Sequence, residues 1–246
     1  MIKMQNEKQI QQKREQVRNM FDGIAHRYDL LNHLLSVGID KRWRRKLIRD
    51  LEKRRPTTLL DVATGTGDLA IMASKIAGCT ITGCDISENM LAEGRKKILK
   101  RGLEGRIRLY TSPAESLMFQ DNAFDAAMVA FGVRNFADLS AGLAEMCRVI
   151  RPGGSIHILE FSMPRLPILK QFYKFYFKRI LPQAGGMISG HEAAYQYLPD
   201  TVLKFPEGAM FRQILSEAGF VQVSSKRLSF GIASLYTGVK PLKTTP

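Results

Sequence analysis

The sequence predicts an α/β domain: a mostly parallel sheet with helices on both faces, closed by an antiparallel hairpin near the C-terminus. Three observations predict it. From residue 57 onward, short apolar runs alternate with longer helical stretches. The first of those runs ends in a glycine turn that opens a helix, LLDVATGTGDLA at 59–70. The stretch 220–239 reads as two strands split at Gly231, and so brief a split favours antiparallel pairing.

Each element has its own local signal. Residues 5–20 are polar and charged, which predicts a solvated helix or a mobile arm. Residues 20–56 are helical, with Leu30, Leu31, Leu34 and Leu35 at helical spacing. Gly38 breaks that run, and Asp40 is placed to cap a second helix carrying Trp43, Leu47, Ile48 and Leu51. Strands are expected at 58–62, 80–85, 107–111, 125–131 and 155–160, with helices near 68–77, 87–100 and 138–149 between them. The RPGG turn at 151–154 stops a helix and starts a strand. Residues 163–205 break the alternation and are rich in aromatics. A helix at 207–218 then starts at Pro206 and closes at Gly219. With the hairpin the strands number seven.

Composition narrows the class. At 246 residues the chain can bury a full core without staples. Cys79, Cys84 and Cys147 are odd in number and form no C-x-x-C pair, so a reducing cytoplasm is expected and a cysteine zinc site is not. His26, His33, His157 and His191 show no ligand spacing. The opening residues are charged or amides, unlike a secretion signal, and no segment approaches 18 uncharged apolar residues. The net charge is +14, with fifteen Lys/Arg against seven Asp/Glu in residues 1–56. That surplus points to an anionic partner without choosing among nucleic acid, membrane and acidic cofactor.

The glycine turn carries the chemistry. Gly65 and Gly67 let the backbone pass close to a ligand. GTGDLA alone also fits a dinucleotide pattern, and Asp85, 18 residues past Gly67, is placed for two ribose hydroxyls in either case. Asp61 and Asp68 bracket the loop with negative charge that would repel a pyrophosphate, whereas S-adenosyl-L-methionine brings an ammonium and a sulfonium. The terminal hairpin also departs from a dinucleotide-binding dehydrogenase, so S-adenosyl-L-methionine is the expected cofactor.

The motifs MFDGIAHRYDLLNHLLSVGIDKRWRR, LDVATGTGDLA, DISENML, FGVRN, LEFSMP and YQYLPDTVLKFP run from residue 21 to 206. Together they resemble the UbiE/COQ5/MenG family of class I methyltransferases, which methylate a ring carbon of quinols in menaquinone and ubiquinone biosynthesis. The resemblance implies a class I methyltransferase fold, Rossmann-like, with a helical N-terminal extension and a helical insertion. It implies a helical substrate lid at 1–56, a cofactor-binding core at 57–162, an insertion for the lipid substrate at 163–205, and a completing helix and hairpin at 206–246. Cofactor contacts are implied at Thr66, at Asp85 and at the pair Pro113–Ala114. Asp61, Gly65, Gly67 and Ile86 complete the expected set. Where some members have Ser before F-G, this chain has Ala130.

The reaction needs an electron-rich ring carbon held in line with the methyl group. It also needs help in deprotonating a quinol hydroxyl. Arg134 can stabilise a phenolate oxygen or pair with Asp138. Asn135 can orient the quinone oxygen or cap a turn. Tyr28 and Asp29 sit in the lid, where Asp29 is a base or a helix cap. His191 and Tyr195 can touch the quinol or merely pack.

The stretch 169–182 mixes five aromatics with Lys170, Lys174, Lys178 and Arg179 on one stripe, which suits an anionic membrane surface or a prenyl-tail pocket. The partners expected are a lipid quinol and the inner face of a membrane, bound peripherally from the cytoplasm, with a homodimer compatible. Demethylmenaquinol is favoured over a polyprenyl methoxybenzoquinol. No RNA-binding module is recognisable, so nucleic acid is not expected.

Overall fold

The computed structural model describes residues 2–36, 38–175, 197 and 201–242. The strands are β1 (Thr58–Val62), β2 (Thr80–Asp85), β3 (Ile107–Thr111), β4 (Phe124–Ala130), β5 (Ile150–Phe161), β6 (Val221–Leu228) and β7 (Ala233–Val239). The helices are α1 (Ile2–Leu35), α2 (Ile39–Glu52), α3 (Asp68–Ala73), α4 (Glu88–Lys100), α5 (Leu139–Val149), α6 (Pro167–Phe175) and α7 (Ala209–Glu217). The seven strands form one sheet in the order β3-β2-β1-β4-β5-β7-β6. All pairs are parallel except β5 with β7 and β6 with β7. The expected fold class is therefore observed.

Alternation along the strands sorts the core into two layers. Leu60 and Val62 of β1, with Ala127 and Val129 of β4, face α5 and α7, where they meet Leu143, Met146, Phe211 and Leu215. Leu59, Ala126 and Met128 face the other way, against Trp43, Leu47 and Leu51 of α2, Leu69 of α3 and Ile98 of α4. Strand order reverses between β1 and β4, and ligands of such sheets bind at that switch point, outside the carboxyl ends of the strands.

Several local expectations need correction. Residues 5–20 are part of α1, one continuous helix, and Val17, Ile24 and Ala25 are buried. The charged sequence hides a narrow apolar seam. Asp40 does not cap α2: the N-cap is Gly38 at φ 71°, and Asp40 sits buried inside the first turn, accepting from Ser36 Oγ at 2.7 Å. The helix expected at 68–77 ends at Ala73. The RPGG segment lies within β5, which starts at Ile150 and bulges against β4. A Cβ at Gly154 would stand 2.5 Å from the Asp125 carbonyl, so the irregular strand requires glycine there. The helix after the insertion starts at Ala209, past Pro206, with Gly208 as its N-cap.

Asp125 ties the start of β1 to β4. Its carboxylate accepts from Thr57 N, Thr57 Oγ1 and Thr58 N at 2.6, 2.7 and 3.0 Å, and from Arg151 Nε at 2.6 Å. Partial burial pushes this carboxyl up, but Arg151 and the Thr57 and Thr58 donors outweigh it and hold the group well below the usual carboxylate range. A depressed folded-state value gives stability that is full above the unfolded value and lost as pH falls toward the folded one. Asp125→Ala should therefore cost about 2–3 kcal/mol at neutral pH. The gap from wild type should narrow steadily below about pH 4. Urea unfolding at pH 7 and pH 3 checks this, and an equal gap at both would contradict it.

Candidate cofactor and substrate site

A cleft holding about 630 Å³ of empty space opens at the switch point. Loops leaving four strands build it: Ala63 and Gly65 after β1, Asp85 and Ile86 at the end of β2, Ser112, Ala114 and Glu115 after β3, and Phe131, Gly132 and Asn135 after β4. The walls after β1 and β4 touch. A Cβ at Gly132 would lie 2.6 Å from Ala63 Cβ. Ala63 and Phe131 hold φ of 52° and 62°, left-handed backbone that non-glycine residues rarely adopt and that clusters at functional sites.

Asp85 is the charged floor of the cleft. Its carboxylate accepts from Gly65 N and Ser87 N, each at 2.9 Å. Burial raises its pKa, and those two N–H groups oppose the rise. The glycine loop is thus fastened to the acid that ends the second strand, a bond the sequence reading did not foresee.

The other loop residues divide. Gly65, Asp85, Ile86, Ala114 and Ala130 line the cleft, whereas Asp61, Thr66, Gly67 and Pro113 do not. Thr66 is buried, and its hydroxyl accepts from Lys97 Nζ at 2.9 Å. Gly67 is the N-cap of α3 at φ 77°. Pro113 lines a shallow outer hollow beside α1. The charge argument built on Asp61 and Asp68 is corrected by the same geometry. Lys97 pairs with Asp68. Asp61 is 1% exposed, hydrogen-bonded by Thr64 Oγ1 at 2.7 Å, and burial pushes its carboxyl up to about 7. Neither lines the cleft, whereas Asp85 does.

α1 crosses the cleft and supplies a wall, of which sequence reading named Tyr28 but missed Arg14, Val17 and Phe21. Arg14, Val17, Phe21 and Tyr28 line it. Two clasps hold the helix down. At one end Arg14 meets Glu115 at 3.3 Å, and Lys13 Nζ donates to the Phe136 carbonyl at 2.7 Å. At the other, Ser87 Oγ donates to Asp22 Oδ1 at 2.5 Å. Glu115 also accepts from the backbone N–H of Ala137 and Asp138. The signal was present: Val17, Phe21, Ile24 and Tyr28 recur at three- and four-residue steps. It was masked by the charges between them.

The expected catalytic residues also separate. Tyr28 and Asn135 line the cleft. Asn135 Oδ1 is buried and has no hydrogen-bond partner among the described residues. Arg134 points away from the cleft. It donates to Glu160 Oε1 at 2.7 Å and the Phe131 carbonyl at 2.6 Å, and its guanidinium lies 5.3 Å from the centre of the Phe161 ring. The side chains of this pair are 7% and 0% exposed. Asp138 is not its partner, because it caps α5 through Ala141 N. Arg134 Nε is buried and unpartnered among the described residues. The side chain of Asp29 lies outside the described set, as do His191 and Tyr195.

These residues fit S-adenosyl-L-methionine. Of the two carboxylates lining the cleft, Glu115 is paired with Arg14, which leaves Asp85 to receive ribose hydroxyls, and the backbone is bare at Gly65. Among the described residues no cluster suits a metal ion.

Comparison with known proteins agrees. Residues 8–240 match the model of the ubiE/COQ5 methyltransferase family. The demethylmenaquinone methyltransferase of Bacteroides fragilis is 48% identical over 229 residues, 93% of this chain and 94% of that protein. The ubiquinone/menaquinone biosynthesis C-methyltransferase UbiE of Geobacter sulfurreducens is 45% identical over 236 residues, 95% of this chain and 92% of its own length. Among solved structures, a Thermotoga maritima SAM-dependent methyltransferase superposes with a TM-score of 0.66 at 16% identity, covering 91% of this chain and 99% of that one. At that identity the likeness speaks for the fold alone. The family match and the two relatives settle membership: the chain belongs to the ubiE/COQ5 methyltransferase family.

Proposed function

We propose that this enzyme transfers a methyl group from S-adenosyl-L-methionine to a ring carbon of a prenylated quinol, with demethylmenaquinol as its substrate. The relatives' names support the reaction. One structural observation supports the site: Asp85 and the unpartnered Asn135 Oδ1 share one cleft. A polyprenyl methoxybenzoquinol is the second reading, favoured by the double name of the Geobacter relative.

When bound, the cofactor supplies an electrophilic methyl group on a sulfonium, an excellent leaving group. The chain's own residues then have three tasks. Asp85 holds the ribose hydroxyls, and the backbone at Gly65 lets the cofactor lie close. Asn135 Oδ1 accepts a quinol hydroxyl and fixes the ring's rotation. Arg134, turned away from the cleft, holds the loop after β4 through Glu160 and the Phe131 carbonyl and so positions Asn135. Tyr28 covers the cleft from α1 and excludes water. We also propose the four-part division at 1–56, 57–162, 163–205 and 206–246, in which the first and third segments receive the substrate.

The substrate's tail would bring the enzyme to a membrane surface as a peripheral, cytoplasmic-side protein. No described helix is long and apolar enough to cross a bilayer. α6 exposes Ile168 and Phe175 at 83% and 55%, beside exposed Lys170. Lys178 and Arg179 of the basic stripe lie outside the described residues, as does the side chain of Lys174.

Three outcomes follow from this reading. Asp85→Ala should weaken S-adenosyl-L-methionine binding by about 1.5–3 kcal/mol. Wild-type affinity by calorimetry would remove Asp85 from the site. Arg134→Leu would strand Glu160 at about 3–5 kcal/mol, so Arg134→Lys is the more informative change. It keeps a cation for Glu160 and loses the planar fork that also holds the Phe131 carbonyl. Turnover on a short-chain quinol should drop about 10²-fold with cofactor affinity unchanged, and near-normal turnover would exclude Arg134 as a positioning residue. Replacing Lys170, Lys174, Lys178 and Arg179 with Gln should reduce activity on the long-chain quinol while sparing a short, soluble analogue. Equal losses on both would exclude this stretch as the membrane contact.

A further inference from the structure

A second opening lies between α2 and α3. It holds about 1,250 Å³ of empty space open to solvent. Ile48, Ile71, Met72 and Ile76 line its floor. Lys41, Arg45 and Arg49 border it from α2, four residues apart and therefore on one stripe. Lys75 and Arg101 border it from the far side. All five of these side chains are exposed, and none makes an ion pair among the described residues. The other charges in the groove are largely neutralised: Asp68 is paired with Lys97, and Arg44 lies 3.6 Å from Asp40. Glu52 is the remaining acid.

Five unpaired cations over an aliphatic floor form an amphipathic trough. Mutual repulsion among them is unfavourable unless an anion relieves it. Two classes of polyanion fit the charge. Single-stranded RNA is held by aromatic side chains on which bases stack, and no aromatic residue lines this groove. A phospholipid offers a phosphate for the rim and methylenes for the floor. We propose that the α2–α3 groove docks the enzyme on anionic phospholipid headgroups, with the floor covering the first methylenes of an acyl chain. This proposal rests on the membrane-borne substrate of the preceding section, and it deepens that reading by naming a second surface besides α6.

The placement has a use. Arg44 borders the groove and lies with its guanidinium 5.4 Å from the centre of the Phe131 ring, while Phe131 lines the cofactor cleft. A bilayer seated here would stand one layer of side chains from the point of transfer.

The test is a triple variant, Arg45→Gln, Arg49→Gln and Lys75→Gln, on the full chain. Each basic residue near an anionic surface contributes about 1 kcal/mol, so partition onto phosphatidylglycerol vesicles should weaken about a hundredfold. Affinity for S-adenosyl-L-methionine and turnover of a short-chain quinol should match wild type, since none of the three lines the cleft. Partition within twofold of wild type would overturn the proposal. So would a wild-type preference for single-stranded RNA that displaces the vesicles. Failure of either protein to methylate the quinol would count against the reaction alone, because vesicle partition is read without turnover.

Discussion

The site exists because two loops can touch. At the switch point the chain leaves β1 and β4 in diverging directions, and Gly132 abuts Ala63 where any side chain would collide. That contact fixes the rear wall of the cleft. It also forces Ala63 and Phe131 into left-handed backbone, a cost of about 1–3 kcal/mol each that the surrounding packing must overcome. Phe131 is held there by stacking on Phe161 at 4.5 Å and by Trp43 at 6.1 Å. Trp43 is anchored in turn by its Nε1 donating to Ser229 Oγ at 2.8 Å. The hairpin at the far end of the chain therefore helps to hold a residue beside the cofactor.

Charge in this protein is spent unevenly. Acids close to the cleft are either engaged, as Glu115 is by Arg14 and Asp68 by Lys97, or partly discharged by burial, as Asp61 is. That leaves Asp85 as the carboxylate with capacity for a ligand, even while two backbone donors steady it. The same economy applies to Arg134, whose partner Glu160 is fully buried. A guanidinium used this way fixes the loop after β4, and with it the neighbouring Asn135 in the cleft.

Much of the fold was legible in the sequence because its signals are local. Apolar runs of five to seven residues mark the strands, and the LLDVATGTGDLA turn marks the first crossover with its ligand loop. The place of Asp85 at the ligand edge could be anticipated from its spacing to the glycine turn. What the sequence hid depends on distant partners. Nothing near Thr66 announces Lys97, 31 residues away, whose ammonium donates to its hydroxyl. The clasp between Arg14 and Glu115 spans 101 residues and joins two segments that each look solvent-facing. Asp40 resembled a cap by type, yet Gly38 fills that position and Asp40 is drawn inside the turn by Ser36 and Arg44.

The arrangement of α1 sets scaffold and gate on separate footings. The helix closes the cleft from outside and contributes no strand to the sheet. Its polar fastenings, Arg14 to Glu115, Lys13 to Phe136 and Asp22 to Ser87, lie on the cleft's rim, with Val17 and Phe21 between them. Lifting it breaks those contacts and leaves the two core layers intact. Were α1 to act as the gate, cofactor entry and spent-cofactor escape would scale with that local opening, whereas melting would scale with the sheet and its helices. Variation in α1 would then retune turnover without touching heat resistance, and the core could drift in stability without altering how fast the enzyme reloads.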